Sequence, residues 1–163
     1  MTPQSALADC YLQFLRDRMG LEARVDTHQN VELTWDGWTM FVENTAPSDP
    51  EFFHLVCLIG AEHSSSELAT VAVELAGKRK LIKARPVERG LMLSVELLMG
   101  ADGCLPYPGH LSCVVPRALR VLADASKAAC EHLAFLDATR ELGRSLHAEA
   151  EQAGGEPPSA DHA

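Results

Sequence analysis

The chain has 163 residues, 47% hydrophobic and 23% charged, with a formal net charge of -9 and a sequence pI near 5.2. A chain of this size buries roughly two-thirds of its unfolded surface in one domain without disulfide or metal staples, and its near-average composition excludes collagenous, low-complexity and wholly disordered classes. No apolar run approaches the roughly 18 residues of a membrane span, and the acidity argues against a protein that works by neutralising phosphates, so neither a membrane nor a nucleic-acid partner is expected.

Residues 4–19 place Leu7, Tyr11, Phe14 and Leu15 on one helical face, with Cys10 beside them and Asp9, Gln13, Arg16 and Asp17 on the wet side. Gly20 follows as a left-handed terminator. A short strand over residues 23–27 comes next. The strongest local signal is the pair of alternating runs at residues 31–35 and 38–42 around Asp36-Gly37, a turn in which both central residues take positive φ. That turn sets Trp35 opposite Trp38, Leu33 opposite Met40 and Val31 opposite Val42, with all six on one face. Glu32, Thr34, Thr39, Phe41 and Glu43 take the other.

Residues 44–51 hold Pro47 and Pro50 and read as a loop. Residues 52–59 are apolar on both faces, the pattern of a strand covered from two sides. Phe52, His54, Val56 and Leu58 form its second face, with Phe41 as a neighbour, and in so small a protein the expected cover for that face is another subunit. Ser64 to Glu67 fit a capping box opening a helix through Leu68, Val71, Ala72, Leu75 and Ala76, closed by Gly77 and Lys78-Arg79-Lys80.

Residues 81–88 and 91–99 form a hairpin expected to turn at Arg89-Gly90, which sets Ile82, Ala84 and Pro86 opposite Leu97, Val95 and Leu93. Pro86 cannot donate to a ladder, so the first of these strands is an edge, and Leu81 and Lys83 lie where a client strand could add. After a loop at residues 100–109, a long helix is expected from about Pro116 to about His147, its seam being Leu119, Leu122, Ser126, Ala129, Leu133 and Leu136, flanked by Ala118, Val121, Ala125 and Phe135. Residues 148–163 carry Glu149, Glu151, Glu156 and Asp161 with no Lys or Arg, and read as a disordered acidic tail beyond a single domain of residues 1–147.

The chemistry-bearing residues are sparse. Five cysteines, Cys10, Cys57, Cys104, Cys113 and Cys130, are scattered without a C-x-x-C pair and read as reduced, mostly buried thiols. Residues 1–9 carry neither the basic start nor the apolar stretch of a secretory signal, so the expected location is cytoplasmic. Cys104, His110 and Cys113 give three clustered ligands where structural zinc takes four, so no metal or other cofactor is expected. Cys57 and His54 stand three residues apart on a strand, hence on opposite faces, and cannot form a nucleophile and base. No hydrolase, zincin, Walker or dinucleotide motif occurs. Lys78, Arg79, Lys80, Lys83 and Arg85 make the one basic cluster, read as a helix end followed by a charged edge strand.

The fold class is therefore α+β, an antiparallel sheet of about five strands with flanking helices in the order α-βββ-α-ββ-α. This order resembles the type III secretion chaperone-like superfamily, including the Tir-chaperone group and the YbjN domain family. The resemblance spans residues 7–135 and rests on residues 31–42 with the Asp36-Gly37 turn, Asp49-Pro50-Glu51-Phe52 entering a strand, Lys80-Leu81-Ile82-Lys83 after the second helix, and residues 91–98 before the last helix. Glu74-Leu75-Ala76-Gly77 departs from YbjN-like chains, which often carry asparagines there. The resemblance implies a small, acidic, often dimeric cytoplasmic protein that binds other proteins and carries no catalytic residues. The expected function is a non-enzymatic interaction module, chaperone-like or regulatory, that binds a protein client as a homodimer. Phe41, Phe52, His54, Val56, Leu58, Leu81 and Lys83 are its expected contact residues. The alternative is a small-molecule sensor or enzyme with a pocket near Cys104, His110 and Cys113.

Overall fold

A computed structural model describes residues 3–45, 49, 51–99 and 105–153, and among these the chain forms six strands and three helices. Helix α1 (Pro3–Gln13) continues into a single π turn, Phe14–Arg18, and ends at Gly20 with φ 65°, the expected left-handed stop. Arg16 holds that end down by donating from Nε and Nη2 to the Ala23 carbonyl at 3.0 and 2.6 Å. Strands β1 (Ala23–Val25), β2 (Val31–Trp35), β3 (Trp38–Glu43) and β4 (Phe52–Gly60) then form an antiparallel meander. Asp36 and Gly37 adopt φ 51° and 80°, and the register Val31 to Val42, Leu33 to Met40 and Trp35 to Trp38 is the one the turn chemistry demands.

Helix α2 (Ser65–Lys78) begins with a complete capping box, and it buries Leu68, Val71, Ala72 and Leu75, whereas Ala76 is exposed. Strands β5 (Ile82–Val87) and β6 (Gly90–Leu98) follow, and the sheet order is β1-β2-β3-β4-β6-β5. The architecture is thus α+β as expected, with six strands rather than about five, because the short β1 and the long β4 both join the meander. As its proline required, β5 is an edge.

The β5–β6 register departs from expectation by two residues. Glu88 and Arg89 form the turn with φ below zero, and Gly90 stands beyond it, opposite Val87, so Ile82 pairs with Val95 and Pro86 with Leu91. The glycine is needed on the other side of its strand: it pairs with Gly60 at φ 147°, and a Cβ there would lie 1.9 Å from the Ile59 carbonyl oxygen. A shift of two leaves every side chain on its intended face.

Helix α3 (Pro108–Ala153) starts eight residues before the expected Pro116, which lies inside it. Pro108 occupies the first helical position, where its missing N–H costs nothing. Pro116 leaves the Ser112 carbonyl without its usual donor, and Ser112 is an exposed residue. The earlier start turns Cys113 outward; it is exposed rather than a buried thiol. The seam from Leu119 to Leu133 is fully buried as expected, but Phe135, 68% exposed, has rotated off it. Helix α3 also continues past residue 147 to Ala153, into the expected tail, whose residues 154–163 lie outside the described ones.

All three helices pack on one face of the sheet. The core joins Leu7, Tyr11 and Leu15 of α1, Leu68 and Val71 of α2, and Leu119, Leu122 and Leu133 of α3 to Leu33, Met40, Phe53, Leu55, Ile59, Leu91, Leu93 and Val95 of the strands. Tyr11 lies against Phe53 with ring centroids 5.5 Å apart at 58°. Beyond Leu136 the described side chains of α3 are exposed through Glu149. Two contacts tie this projecting end to the start of α2: His63 Nε2 stands 3.2 Å from Asp137 Oδ1, and Arg140 Nη2 donates to Glu67 Oε1 at 2.5 Å.

Glu67 links the α2 cap to that arm. Bonds from the Ser64 hydroxyl and backbone N–H, then from Arg140, hold its carboxyl at about 2, against an ordinary value of 4.5. A carboxyl depressed in the folded state supports the fold above its unfolded pKa, and that support is lost as pH falls through the folded value. Acid titration of the wild-type chain followed by thermal unfolding is therefore expected to show a loss between pH 4.5 and about 2 that is flattened in Glu67→Gln. Equal acid sensitivity in the two proteins would remove this link.

Candidate interaction face

Period-two alternation divides each strand between the helix-covered face and its opposite. On the opposite face one row runs across the whole sheet through Arg24, Glu32, Phe41, Val56, Ser94 and Lys83. A second row holds Leu58, Met92 and Arg85, a third Glu43, His54 and Glu96, and a fourth Phe52 and Leu98. No described helix covers these rows: the described helical core residues belong to the cluster on the other side.

The exposed apolar surface lies at the two ends of the paired central strands. Leu58 is 56% exposed, Leu98 60% and Phe52 36%. The middle is roofed by long cationic side chains from the edge strand. Lys83 reaches over Ser94 to an ion pair with Glu96, and Arg85 Nη2 lies 3.5 Å from the Met92 sulfur. Val56, set between Phe41 and Ser94, is buried within the chain itself, as are Met92 and Ser94. A depression of about 480 Å³ remains between His54, Lys83, Arg85, Met92, Ser94 and Glu96.

His54 stands between two carboxylates. Its Nδ1 is 2.7 Å from Glu43 Oε2, and its Nε2 is 3.6 Å from Glu96 Oε1, beyond hydrogen-bond reach. That Nε2 is buried and has no hydrogen-bond partner among the described residues. In charge the face is balanced: Arg24, Lys83 and Arg85 are set against Glu32, Glu43 and Glu96, while the chain as a whole carries -9.

All seven sequence-expected contact residues fall on or beside this face. Phe41, Phe52, His54, Val56 and Leu58 are in its rows, Lys83 is in the Val56 row, and Leu81 is the residue before β5. Sequence reasoning left out Glu43, Arg85, Met92, Ser94, Glu96 and Leu98. The same alternation that selected Val56 could have found them, since Met92, Ser94, Glu96 and Leu98 share the parity opposite to Leu91, Leu93 and Val95.

The other candidates separate. Cys104 lies outside the described residues, and His110 Nδ1 is 3.1 Å from the Met99 carbonyl oxygen. No group of three metal-capable side chains occurs among the described residues. Burial raises the thiol pKa of Cys10, Cys57 and Cys130, keeping each protonated rather than nucleophilic. A groove of about 440 Å³ runs between α1 and the start of α3 over Cys10, Phe14 and Leu111, with Asp9, Asp17 and Arg18 among its lining. Within the basic cluster Lys78 pairs with Glu74, Lys83 with Glu96, and Arg79 Nη2 donates to the Asp124 carbonyl at 3.4 Å. Trp35 and Trp38 are half-buried against the core, as hairpin-tip packing requires. No described helix is long and apolar enough to cross a membrane. No family model matches the chain, and comparison with curated proteins and with solved structures finds no match to it.

Proposed function

We propose that this chain is a non-enzymatic protein-interaction module, chaperone-like or regulatory, that forms a homodimer and binds a protein client or partner in the cytoplasm. The observation that carries the reading is the one-sided sheet: three helices pack on one face, and the other presents Leu58, Phe52 and Leu98 to water. An antiparallel sheet with a solvated face ordinarily makes that face polar, and the adjacent exposed pair Phe52 and Leu98, with Leu58 at the far end of the same strands, supports an interaction face. A second copy suits the face because its charges cancel, whereas the acidic remainder of the chain repels its own kind.

The sheet edges suit a partner strand less well. Strand β5 carries Lys83, Arg85 and Pro86, and β1 is three residues long, both devices that discourage strand addition. Face-to-face contact is therefore favoured over β-augmentation.

Leu58→Glu is the appropriate probe, since Val56 is already shielded within the chain. Sedimentation velocity at micromolar concentration is expected to give a dimer for the wild-type chain and a monomer for Leu58→Glu, with unchanged circular dichroism. Burying an unpaired carboxylate at the contact costs about 3 kcal/mol or more, roughly a hundredfold in dissociation constant. A wild-type monomer that also recovers no protein partner from its host lysate overturns the proposal.

A further inference from the structure

We infer that the second copy docks on the open face with its two-fold axis running along the strands, between β4 and β6. The inference rests on the homodimer proposed above and specifies which side chains meet. In an isologous contact the position of the axis decides what each residue faces, and stacked sheets keep their strands within about 30° of each other. The known register makes the alternatives comparable.

An axis along β4 sets Glu43 of one copy against Glu96 of the other, because β3 and β6 flank β4 and these two residues share the His54 row. Like charges would then meet in a desolvated contact. An axis across the strands through Val56 exchanges the rows above and below it, setting Leu58 on His54 and Met92 on Glu96. Apolar groups would then cover charged ones.

Placing the axis between β4 and β6 exchanges those strands and keeps the rows. Leu58 then meets Met92 of the other copy, Phe52 meets Leu98, and His54 meets Glu96. Phe41 comes under Lys83, since β3 and β5 are exchanged as well. The exposed Phe52–Leu98 end is covered by its apolar counterpart, Leu58 lies over the Arg85-roofed Met92, and the His54 and Glu96 side chains of the two copies face one another as unlike groups. Four strands at about 4.8 Å and the nine residues of β4 at about 3.3 Å give a footprint of roughly 600 Å² before side-chain relief, approaching the roughly 800 Å² per partner of a standard stable interface.

The test mixes chains carrying Phe52→Cys with chains carrying Leu98→Cys, both exposed positions, in a Cys113→Ser background, and joins them with a short bismaleimide. Linked peptides are identified by mass spectrometry, so native cysteines do not confuse the result. The expected dominant product joins position 52 of one chain to position 98 of the other. Position 52 joined chiefly to position 52 overturns the placement in favour of an axis on β4. A dimer by sedimentation with no sheet-face link overturns the placement while leaving dimerisation standing. A wild-type monomer by sedimentation removes the homodimer on which the placement rests.

Discussion

Replacing Gly90 by alanine is expected to destabilise the chain by about 3–5 kcal/mol, which for a domain of this length lowers the thermal midpoint by roughly 10 °C or more. An added Cβ would stand 1.9 Å from the Ile59 oxygen and 3.0 Å from both the Ile59 carbonyl carbon and the Ala61 nitrogen, all of them backbone atoms. No rotamer change relieves such a clash. The φ of 147° is itself one that L side chains rarely adopt. Relief requires breaking the Gly60–Gly90 end of the nine-pair β4–β6 ladder, the spine of the sheet. Thermal unfolding with a parallel Gly77→Ala control checks this, since a Cβ at Gly77 meets nothing within 4 Å. If Gly90→Ala costs less than about 1 kcal/mol, the strands are not packed as closely as the structure has them.

The second large effect is expected at Phe53. This side chain is fully buried, extends from the centre of the sheet and meets the Tyr11 ring of α1 at 5.5 Å. Truncation to alanine removes a large apolar group and leaves a cavity that rigid strands cannot fill, a loss of about 3–5 kcal/mol. Much of the roughly 5–15 kcal/mol available to an ordinary domain would go. Urea unfolding should show an unchanged slope and a midpoint shifted by that amount. Leu58→Ala, on the same strand but facing out, is expected to change the stability of the isolated chain by less than about 1 kcal/mol. Equal losses at the two positions would mean that both faces of β4 belong to one intramolecular core.

The candidate face was legible to the extent that parity is legible. Apolar residues at both parities of β4 announced a strand needing two covers, and the Asp36-Gly37 turn put Phe41 on the same side as Val56 through a register that holds residue for residue. The burial of Val56 was not legible. That residue lies between Phe41 of β3 and Ser94 of β6, the latter about 40 residues away along the chain, and neighbour relations between β3, β4 and β6 are not written in any local pattern. Nor was the setting of His54 between Glu43 and Glu96, which unites three strands. The start of α3 was missed because Pro116 is an ordinary first-turn residue, and only the helix running on from Pro108 places it inside the helix.

What the amino-acid order determined alone is local: the capping box at Ser64, the left-handed stop at Gly20, the hairpin at Asp36-Gly37 and the alternation that gives each strand two faces. Each follows from torsional preference or hydrogen bonding within a few residues. Tertiary structure decided the rest. It put all three helices on one side of the sheet, moved the β5–β6 turn so that Gly90 could pass the Ile59 carbonyl, and left Phe52 and Leu98 uncovered at one end of β4 and β6 and Leu58 at the other. Those outcomes depend on which distant surfaces exclude water together, a property of the whole packed chain that no single segment of it contains.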